Sequence, residues 1–402
     1  MLAALVLFLS LVRALSLLET TPPPPPAPHP RRKQPVGNST APVNKFLPLY
    51  NCNSPAQVTS QKRHFQGSPI QQDGSACPTW GHFFAALYRS DPRPEDKLMM
   101  SVGFNKGYLA VEFLGVWGTV SSQVLSFDAW GKQLSAMHDQ GRAVSDYVCG
   151  ECKECLERLY LKSTVLPRRV ESLSRERDVR PKLSLPHFVG VDANPRNVHS
   201  LQRIAHTFNL PLLGINALLT NATAPDLWLD PQHWGDPTPI LLPVAPGSLD
   251  ASPVPVRSLD DLVSEMQANQ TLPVRRPISI LTIDTGADAQ VLLGAEQLLR
   301  SGRVRLLVFT WAGNWASRSL QSTVQDLSES MNAAGLGGHT GASCYLMGSG
   351  KVWKLTSGCY DGVYAQRKGV HVGCVLHGDI WERVIDSMCV RVRPRELASW
   401  SK

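Results

Sequence analysis

The chain has 402 residues, carries a formal charge of +7 at pH 7 and is 43% apolar. This composition is ordinary for a globular protein, and the length suits one large domain with additions or two smaller ones. The densest run of basic residues, 167–182, also contains acids and lacks the aromatic side chains that stack on bases. It therefore favours a solvated linker or helix face over a nucleic-acid surface, and no nucleic-acid partner is predicted.

The N-terminus predicts entry into the secretory pathway. The apolar run at residues 2–12, LAALVLFLSLV, precedes a small-residue cleavage pattern and is shorter than the ~20 residues that span a bilayer. We expect residues 1–16 to be a signal peptide. The alternative is a short membrane anchor, which would place Arg13 in the apolar segment. This anchor is the only membrane contact that the sequence suggests.

Glycosylation sequons and cysteines agree with a secreted or Golgi-lumenal protein. Three sequons begin at Asn38, Asn221 and Asn269. The nine cysteines suggest disulfides in an oxidising compartment, and their odd number leaves at least one outside an internal pair.

Composition divides the chain into segments. Residues 17–45 contain PPPPPAPHP and predict an extended, proline-rich stalk without a packed core. Residues 46–96 are interpreted as an N-terminal cap and 97–376 as the main domain. The main domain carries a cysteine-containing insertion at 118–185, and residues 377–402 are interpreted as a C-terminal tail.

Apolar runs alternate with helical patterns along the main domain. Strands are predicted at 98–102, 187–191, 211–215, 278–283 and 304–309, followed by a late pair at 343–347 and 352–355. Helices are predicted at 108–117, 196–208, from 258, at 288–300 and at 317–334. This alternation predicts an α/β fold with a doubly wound, mostly parallel sheet.

Polar residues follow the strands where such a sheet binds ligands. The turn Gly103-Phe-Asn-Lys-Gly107 follows the first strand, Asp192 ends the second and Asp284 ends the fourth. Glycines allow close backbone approach, a helix start offers free N–H groups, and an acid can accept from both ribose hydroxyls. The combination predicts an adenosine-containing cofactor, although alone the turn is a weak signal and each acid can serve as a cap or turn residue.

Several stretches resemble the FkbM-type family of S-adenosyl-L-methionine-dependent methyltransferases, over roughly residues 75–376. They are SVGFNKGY at 101–108, VDANPRNVHSL at 191–201, SLDDL at 258–262, ILTIDTGADAQVLLGAEQLL at 280–299, VFTWAGNW at 308–315 and CYLMGSGKVWKLTSGC at 344–359. The resemblance implies a Rossmann-like class I methyltransferase fold. The residues it assigns to the S-adenosyl-L-methionine site are Gly103, Asn105, Lys106, Gly107, Asp192 and Asn194.

The chain departs from the family pattern around this crevice. Ser101 stands where the family usually has Asp, Thr282 where it has Lys, and Thr310 where a strand usually ends in Glu. A further Glu, expected after Thr285, is deleted. Three acidic positions and one basic position are therefore lost, which is expected to weaken binding of a positively charged donor.

Methyl transfer to a hydroxyl requires alignment of the acceptor and removal of its proton. Asp284 is the first candidate for base or substrate clamp, and Asp288 is the second, unless it is only the first-turn acid of its helix. We expect an O-methyltransferase acting on a hydroxyl of a glycan or small metabolite. The alternatives are an inactive methyltransferase-fold binding protein and, with less support, a glycosyltransferase, for which no D-x-D pair occurs at Asp284.

The remaining cysteines allow two kinds of cross-link. Cys149, Cys152 and Cys155 form C-x-x-C-x-x-C, which supplies three of the four ligands that zinc takes. Disulfides are preferred in an oxidising compartment, so no metal site is predicted. Cys344 and Cys359 flank the late strand pair and are candidates to cross-link it.

Overall fold

The structure is a computed structural model. It describes residues 55–66, 80–93, 97–118, 125–139, 186–229, 241–242, 252–269, 276–311, 318–331, 341–348, 351–356 and 369–389. All of them lie in the compact unit Phe46–Lys402, and a separate unit covers Met1–Lys45. The predicted signal peptide, the stalk and the cysteine cluster at 149–155 lie outside the described residues, so they stay predictions.

Helices and strands alternate along the described residues. The strands are β1 (Leu98–Val102), β2 (His187–Asp192), β3 (Leu212–Asn216), β4 (Leu218–Thr220), β5 (Ala224–Leu229), β6 (Leu241–Leu242), β7 (Ser252–Ser258), β8 (Ile278–Ile283), β9 (Val304–Trp311), β10 (Ala342–Met347), β11 (Val352–Lys354) and β12 (Val370–Leu376). The helices are α1 (Pro55–Gln66), α2 (Trp80–Ser90), α3 (Tyr108–Trp117), α4 (Phe127–Asp139), α5 (Pro195–Phe208), α6 (Leu259–Ala268), α7 (Asp288–Leu293), α8 (Glu296–Arg300), α9 (Leu320–Ser330) and α10 (Ile380–Met388).

The main sheet has eight strands in the order β11-β10-β12-β9-β8-β1-β2-β3. The five strands from β9 to β3 in this order are parallel neighbours, whereas β12 runs antiparallel to both β9 and β10. The chain first moves outward from β1 to β3 and then crosses to β8 on the other side of β1. The strand order therefore reverses between β1 and β8, and the carboxyl ends of these strands border the crevice where such sheets bind ligands.

Helices cover both faces of this sheet, because alternate residues of each buried strand point to opposite sides. Val102, Ile283 and Phe309 share one buried cluster with residues of α6, α7, α8 and α9. Met99 and Ile280 share the other with residues of α2, α3, α4, α5 and α10. The predicted α/β architecture with a mostly parallel sheet is confirmed.

Helices on both sides of residues 97–376 pack against the main domain. Helix α2 packs on α3 and α10, and Phe84 and Trp381 are fully buried between them. At the amino end of the parallel strands, Arg305 bonds the carboxylates of Asp91 at 2.9 Å and Asp379 at 2.8 Å. The predicted tail therefore begins with a helix that is part of the core.

Several elements differ from the sequence expectation. The helix predicted at 288–300 is two helices separated at Gly294, where a Cβ atom would meet the Thr220 carbonyl oxygen at 2.0 Å. The α9 helix is shorter than the predicted 317–334. Strands β4, β7, β5 and β6 form a second, four-stranded sheet between residues 218 and 258, where the sequence predicts no strand.

One disulfide lies in the main sheet. Cys344 of β10 bonds Cys374 of β12, and these residues face each other in register with their Cα atoms 4.0 Å apart. The expected partner, Cys359, is therefore wrong for Cys344, because the unpredicted strand β12 lies beside β10. Cys359 itself lies outside the described residues.

Candidate functional site

The turn after β1 is locked onto the end of β2. Gly103, Asn105 and Gly107 have positive φ angles of 76°, 51° and 75°. The Gly103 N–H donates to the Val191 carbonyl at 2.8 Å, and the Asn105 N–H donates to Asp192 Oδ2 at 3.0 Å. The first two predicted motifs therefore meet at one edge of the sheet.

Both glycines of the turn have a reason in the packing of the protein itself. A Cβ atom on Gly103 would lie 2.1 Å from the Asp284 carbonyl oxygen, which brings the ends of β1 and β8 together. A Cβ atom on Gly107 would lie 3.0 Å from the Trp130 ring and 3.1 Å from Leu201. The glycines thus allow close approach between elements of the fold, and they do not by themselves indicate a ligand.

The Asp192 carboxylate accepts hydrogen bonds from the turn after β1 and from residues at the start of α5. Besides the Asn105 N–H, it accepts the Asn194 N–H at 2.8 Å and the Asn197 side-chain amide at 3.1 Å. A carboxylate offers about four acceptor positions, so about one is left for a ligand hydroxyl. Burial raises the pKa of Asp192 to about 6, against the opposing effect of these hydrogen bonds and of the Lys106 charge.

Asn194 and Lys106 bond to the helices beside Asp192. Asn194 is 4% exposed and caps α5, since its side chain accepts the Arg196 N–H at 3.0 Å. The Lys106 carbonyl accepts the Trp130 indole N–H at 2.8 Å. Gly107 precedes α3 and makes no side-chain hydrogen bond that would cap this helix. The start of α3 follows the turn after β1, so the positive end of its dipole lies at the carboxyl edge of the sheet.

Two of the positions at which the chain departs from the family it resembles contact each other. Ser101 and Thr282 face each other on neighbouring strands, and the Thr282 hydroxyl donates to Ser101 Oγ at 2.9 Å. Both side chains are buried. The resemblance implies Asp and Lys at these positions, whereas the structure has a neutral hydroxyl pair.

Asp284 lies next to the third departure. Its side chain is exposed at the end of β8, and its N–H donates to the Val102 carbonyl at 2.9 Å. The Thr310 hydroxyl donates to Asp284 Oδ1 at 3.0 Å, and His371 Nε2 lies 3.4 Å from the same hydroxyl oxygen. His371 was missed in the sequence because its strand, β12, was not predicted.

Asp288 is held entirely within the fold. It is the first residue of α7 and 2% exposed, and it accepts the Thr285 N–H at 2.8 Å, the Thr285 hydroxyl at 3.0 Å and the Thr310 N–H at 2.8 Å. Burial raises its pKa to about 7, assisted by the Asp284 charge and opposed by the hydrogen bonds. This geometry favours the first-turn interpretation over a catalytic one.

Comparison with known proteins gives no family, curated protein or solved structure that matches the chain. Within the described residues, His, Cys, Asp and Glu do not form any group of three that could hold a metal ion. The helices described here also include none long and apolar enough to cross a membrane.

Proposed function

We propose that the chain is an S-adenosyl-L-methionine-dependent O-methyltransferase of the FkbM type, acting on a hydroxyl of a glycan or small metabolite in the secretory pathway. The observation that carries the proposal is the Asp192 carboxylate, fixed by the Asn105 N–H beside the point where strand order reverses. An acid at the end of the second strand is where a dinucleotide-type fold binds a ribose.

The residues present fit an adenosine-containing group. Asp192 would accept one ribose hydroxyl through its remaining acceptor position, and the uncapped start of α3 would receive a negatively charged group. Lys106 adds a positive charge close enough to Asp192 to lower the pKa of that acid. When bound, S-adenosyl-L-methionine supplies an electrophilic methyl group.

Asp284 is the residue proposed to act on the acceptor. It lies at the end of β8, directly across from the 103–107 turn, and its carboxylate is exposed. A base in this position removes the acceptor proton, a contribution typically of about 10²–10⁴-fold. Alignment of the hydroxyl by the same carboxylate lowers the barrier further.

An inactive binding protein of the same fold is the second candidate, and a specific observation favours it. The Ser101–Thr282 hydroxyl pair and Thr310 leave the sheet edge with fewer acids than the family pattern has. Three of the acceptor positions on Asp192 are also used by the protein. Both features lower the expected affinity for a positively charged donor.

Methyl transfer from labelled S-adenosyl-L-methionine to a panel of hydroxylated small molecules and glycans tests the proposal. We expect label in an acceptor with the wild type, and at least a 100-fold lower rate with Asp284→Asn. Asp326→Asn is the matched control, because Asp326 lies on α9 and forms an exposed ion pair with Arg318. Helix α9 packs on the face of the sheet opposite α3. Equal rates for Asp284→Asn and wild type would remove Asp284 from the mechanism, and transfer to no acceptor would favour the binding protein.

A further inference from the structure

Thr310 and His371 lie side by side at the carboxyl edge of the main sheet. They are opposite each other in the antiparallel pair of β9 and β12, so their side chains point to the same face. Thr310 is 8% exposed and His371 is 5% exposed. A buried hydroxyl and a buried imidazole therefore stand directly behind the exposed Asp284 carboxylate.

The chemistry of Asp284 fixes the direction of the hydrogen bonds. The Thr310 hydroxyl donates a hydrogen bond to Asp284 Oδ1, so its proton points to that oxygen. A hydroxyl has one proton, and the Thr310 oxygen can then only accept from His371. His371 must therefore carry a proton on Nε2, and the order of donation is His371 to Thr310 to Asp284.

His371, Thr310 and Asp284 form a hydrogen-bonded row, and the surrounding residues hold this row in place. The Trp80 indole packs edge-on against the His371 ring, with ring centroids 5.9 Å apart. The Thr310 N–H donates to Asp288 Oδ2, so the backbone of Thr310 is bound by the first residue of α7 and its side chain by Asp284. No described residue donates to Asp284 Oδ2, and Asp284 is an exposed residue.

We propose that Thr310 and His371 are positioning residues that orient Asp284 as the proton acceptor for a substrate hydroxyl. The inference rests on the proposed function, because it assigns the base of that same site. The substrate O–H bond breaks, its proton moves to Asp284 Oδ2, and the electron pair stays on the substrate oxygen. The bond from Thr310 keeps Oδ1 occupied, so that Oδ2 is the oxygen presented to the substrate.

Nuclear magnetic resonance on the ¹⁵N-histidine-labelled full chain tests the proton arrangement without cofactor or acceptor. We expect the neutral His371 ring to carry its proton on Nε2, with slow exchange against water, in the wild type and in Thr310→Ser. In Thr310→Val, which removes only the hydroxyl, the Nε2 proton is expected to exchange at least tenfold faster. A proton on Nδ1 alone in the wild type, or equal exchange in Thr310→Val, would overturn the proposal.

The transfer assay then separates this inference from the proposed function. We expect Thr310→Val to lower kcat at least tenfold with KM unchanged, and Thr310→Ser to restore most of it. Wild-type activity in Thr310→Val would overturn the positioning role while leaving the methyltransferase assignment intact. If the wild type transfers no methyl group, the proposed function fails, and the histidine spectra alone decide whether the hydrogen-bonded row exists.

Discussion

The substitution Asp192→Asn separates the contribution of this residue to binding from its contribution to the fold. The carboxylate accepts from Asn105, Asn194 and Asn197 through both oxygens, whereas an amide has only one oxygen. Whichever way the amide turns, its NH₂ group faces at least one donor. The lost charge-assisted hydrogen bond is worth about 1.5–3 kcal/mol.

A second effect on stability opposes this loss. Burial raises the pKa of Asp192 from 3.8 to about 6, so the ionised form that predominates at pH 7.5 is less stable in the folded protein than in the unfolded chain. A rise of that size corresponds to roughly 3 kcal/mol, and the neutral amide is free of this penalty. The pKa of about 6 already includes the favourable effect of the hydrogen bonds, so the two figures overlap and have opposite signs. We expect the free energy of unfolding to change by less than about 2 kcal/mol.

Binding has no such compensation. A ribose hydroxyl loses its charged acceptor, and about 1.5–3 kcal/mol corresponds to roughly a 10- to 100-fold higher Kd for S-adenosyl-L-methionine. The same residue predicts that wild-type affinity falls as the pH is lowered from 7.5 to 5, because Asp192 is protonated below a pKa of about 6. The variant should lack this pH dependence.

Calorimetric titration and urea unfolding of wild type, Asp192→Asn and the surface control Asp326→Asn check these expectations. A folded Asp192→Asn protein with unchanged affinity would refute the assignment of Asp192 to the cofactor site. A variant that loses both stability and affinity would mean that the carboxylate acts mainly by holding the turn in place.

Three further predictions concern stability. Since the pKa of Asp288 is raised to about 7, the native state keeps a proton that the unfolded chain releases, and stability should fall as the pH rises from about 4 to about 7. Urea unfolding at several pH values should show that the free energy of unfolding depends less steeply on pH in Asp288→Asn than in the wild type. An equally steep dependence would contradict the raised pKa of Asp288. The Cys344–Cys374 disulfide spans a sequence separation of 30 residues, so replacing both cysteines with alanine should lower the free energy of unfolding by roughly 3–4 kcal/mol. Reducing agent should destabilise the wild type more than this double variant, and equal sensitivity would argue against the disulfide. Ser101→Asp should destabilise the protein by about 3–5 kcal/mol, because it buries an unpaired charge, and adding Thr282→Lys should recover at least half. A double-mutant cycle measures this coupling, and simple additivity would show that the two positions act independently.

The central strands could be predicted because they are buried on both sides. β1 and β8 read as continuous apolar runs, each followed by a polar turn, and their predicted bounds match the structure. The sequence also predicted that Gly103, Asp192 and Asp284 lie at one edge, which follows from the parallel order of their strands. This part of the site is determined by local pattern and topology together.

The rest depended on tertiary contacts that leave no local signal. The segment of β12, VHVGCVL, has no turn residues that would predict an antiparallel strand between β9 and β10. The sequence therefore predicts neither the place of His371 nor the pairing of Cys374. The break at Gly294 comes from the approach of Thr220, a contact across the chain. The sequence pattern shows Ser101 and Thr282 as two separate departures from the family it resembles, and only the structure brings their hydroxyls together.

Titration of the disulfide-intact full chain with S-adenosyl-L-methionine and S-adenosylhomocysteine by calorimetry tests the central claim most directly. The account predicts one site per chain with Kd in the micromolar range, weakened by Asp192→Asn and unaffected by Asp326→Asn. Absence of binding up to millimolar ligand, in a sample whose cooperative unfolding proves that it is folded, would contradict the methyltransferase assignment.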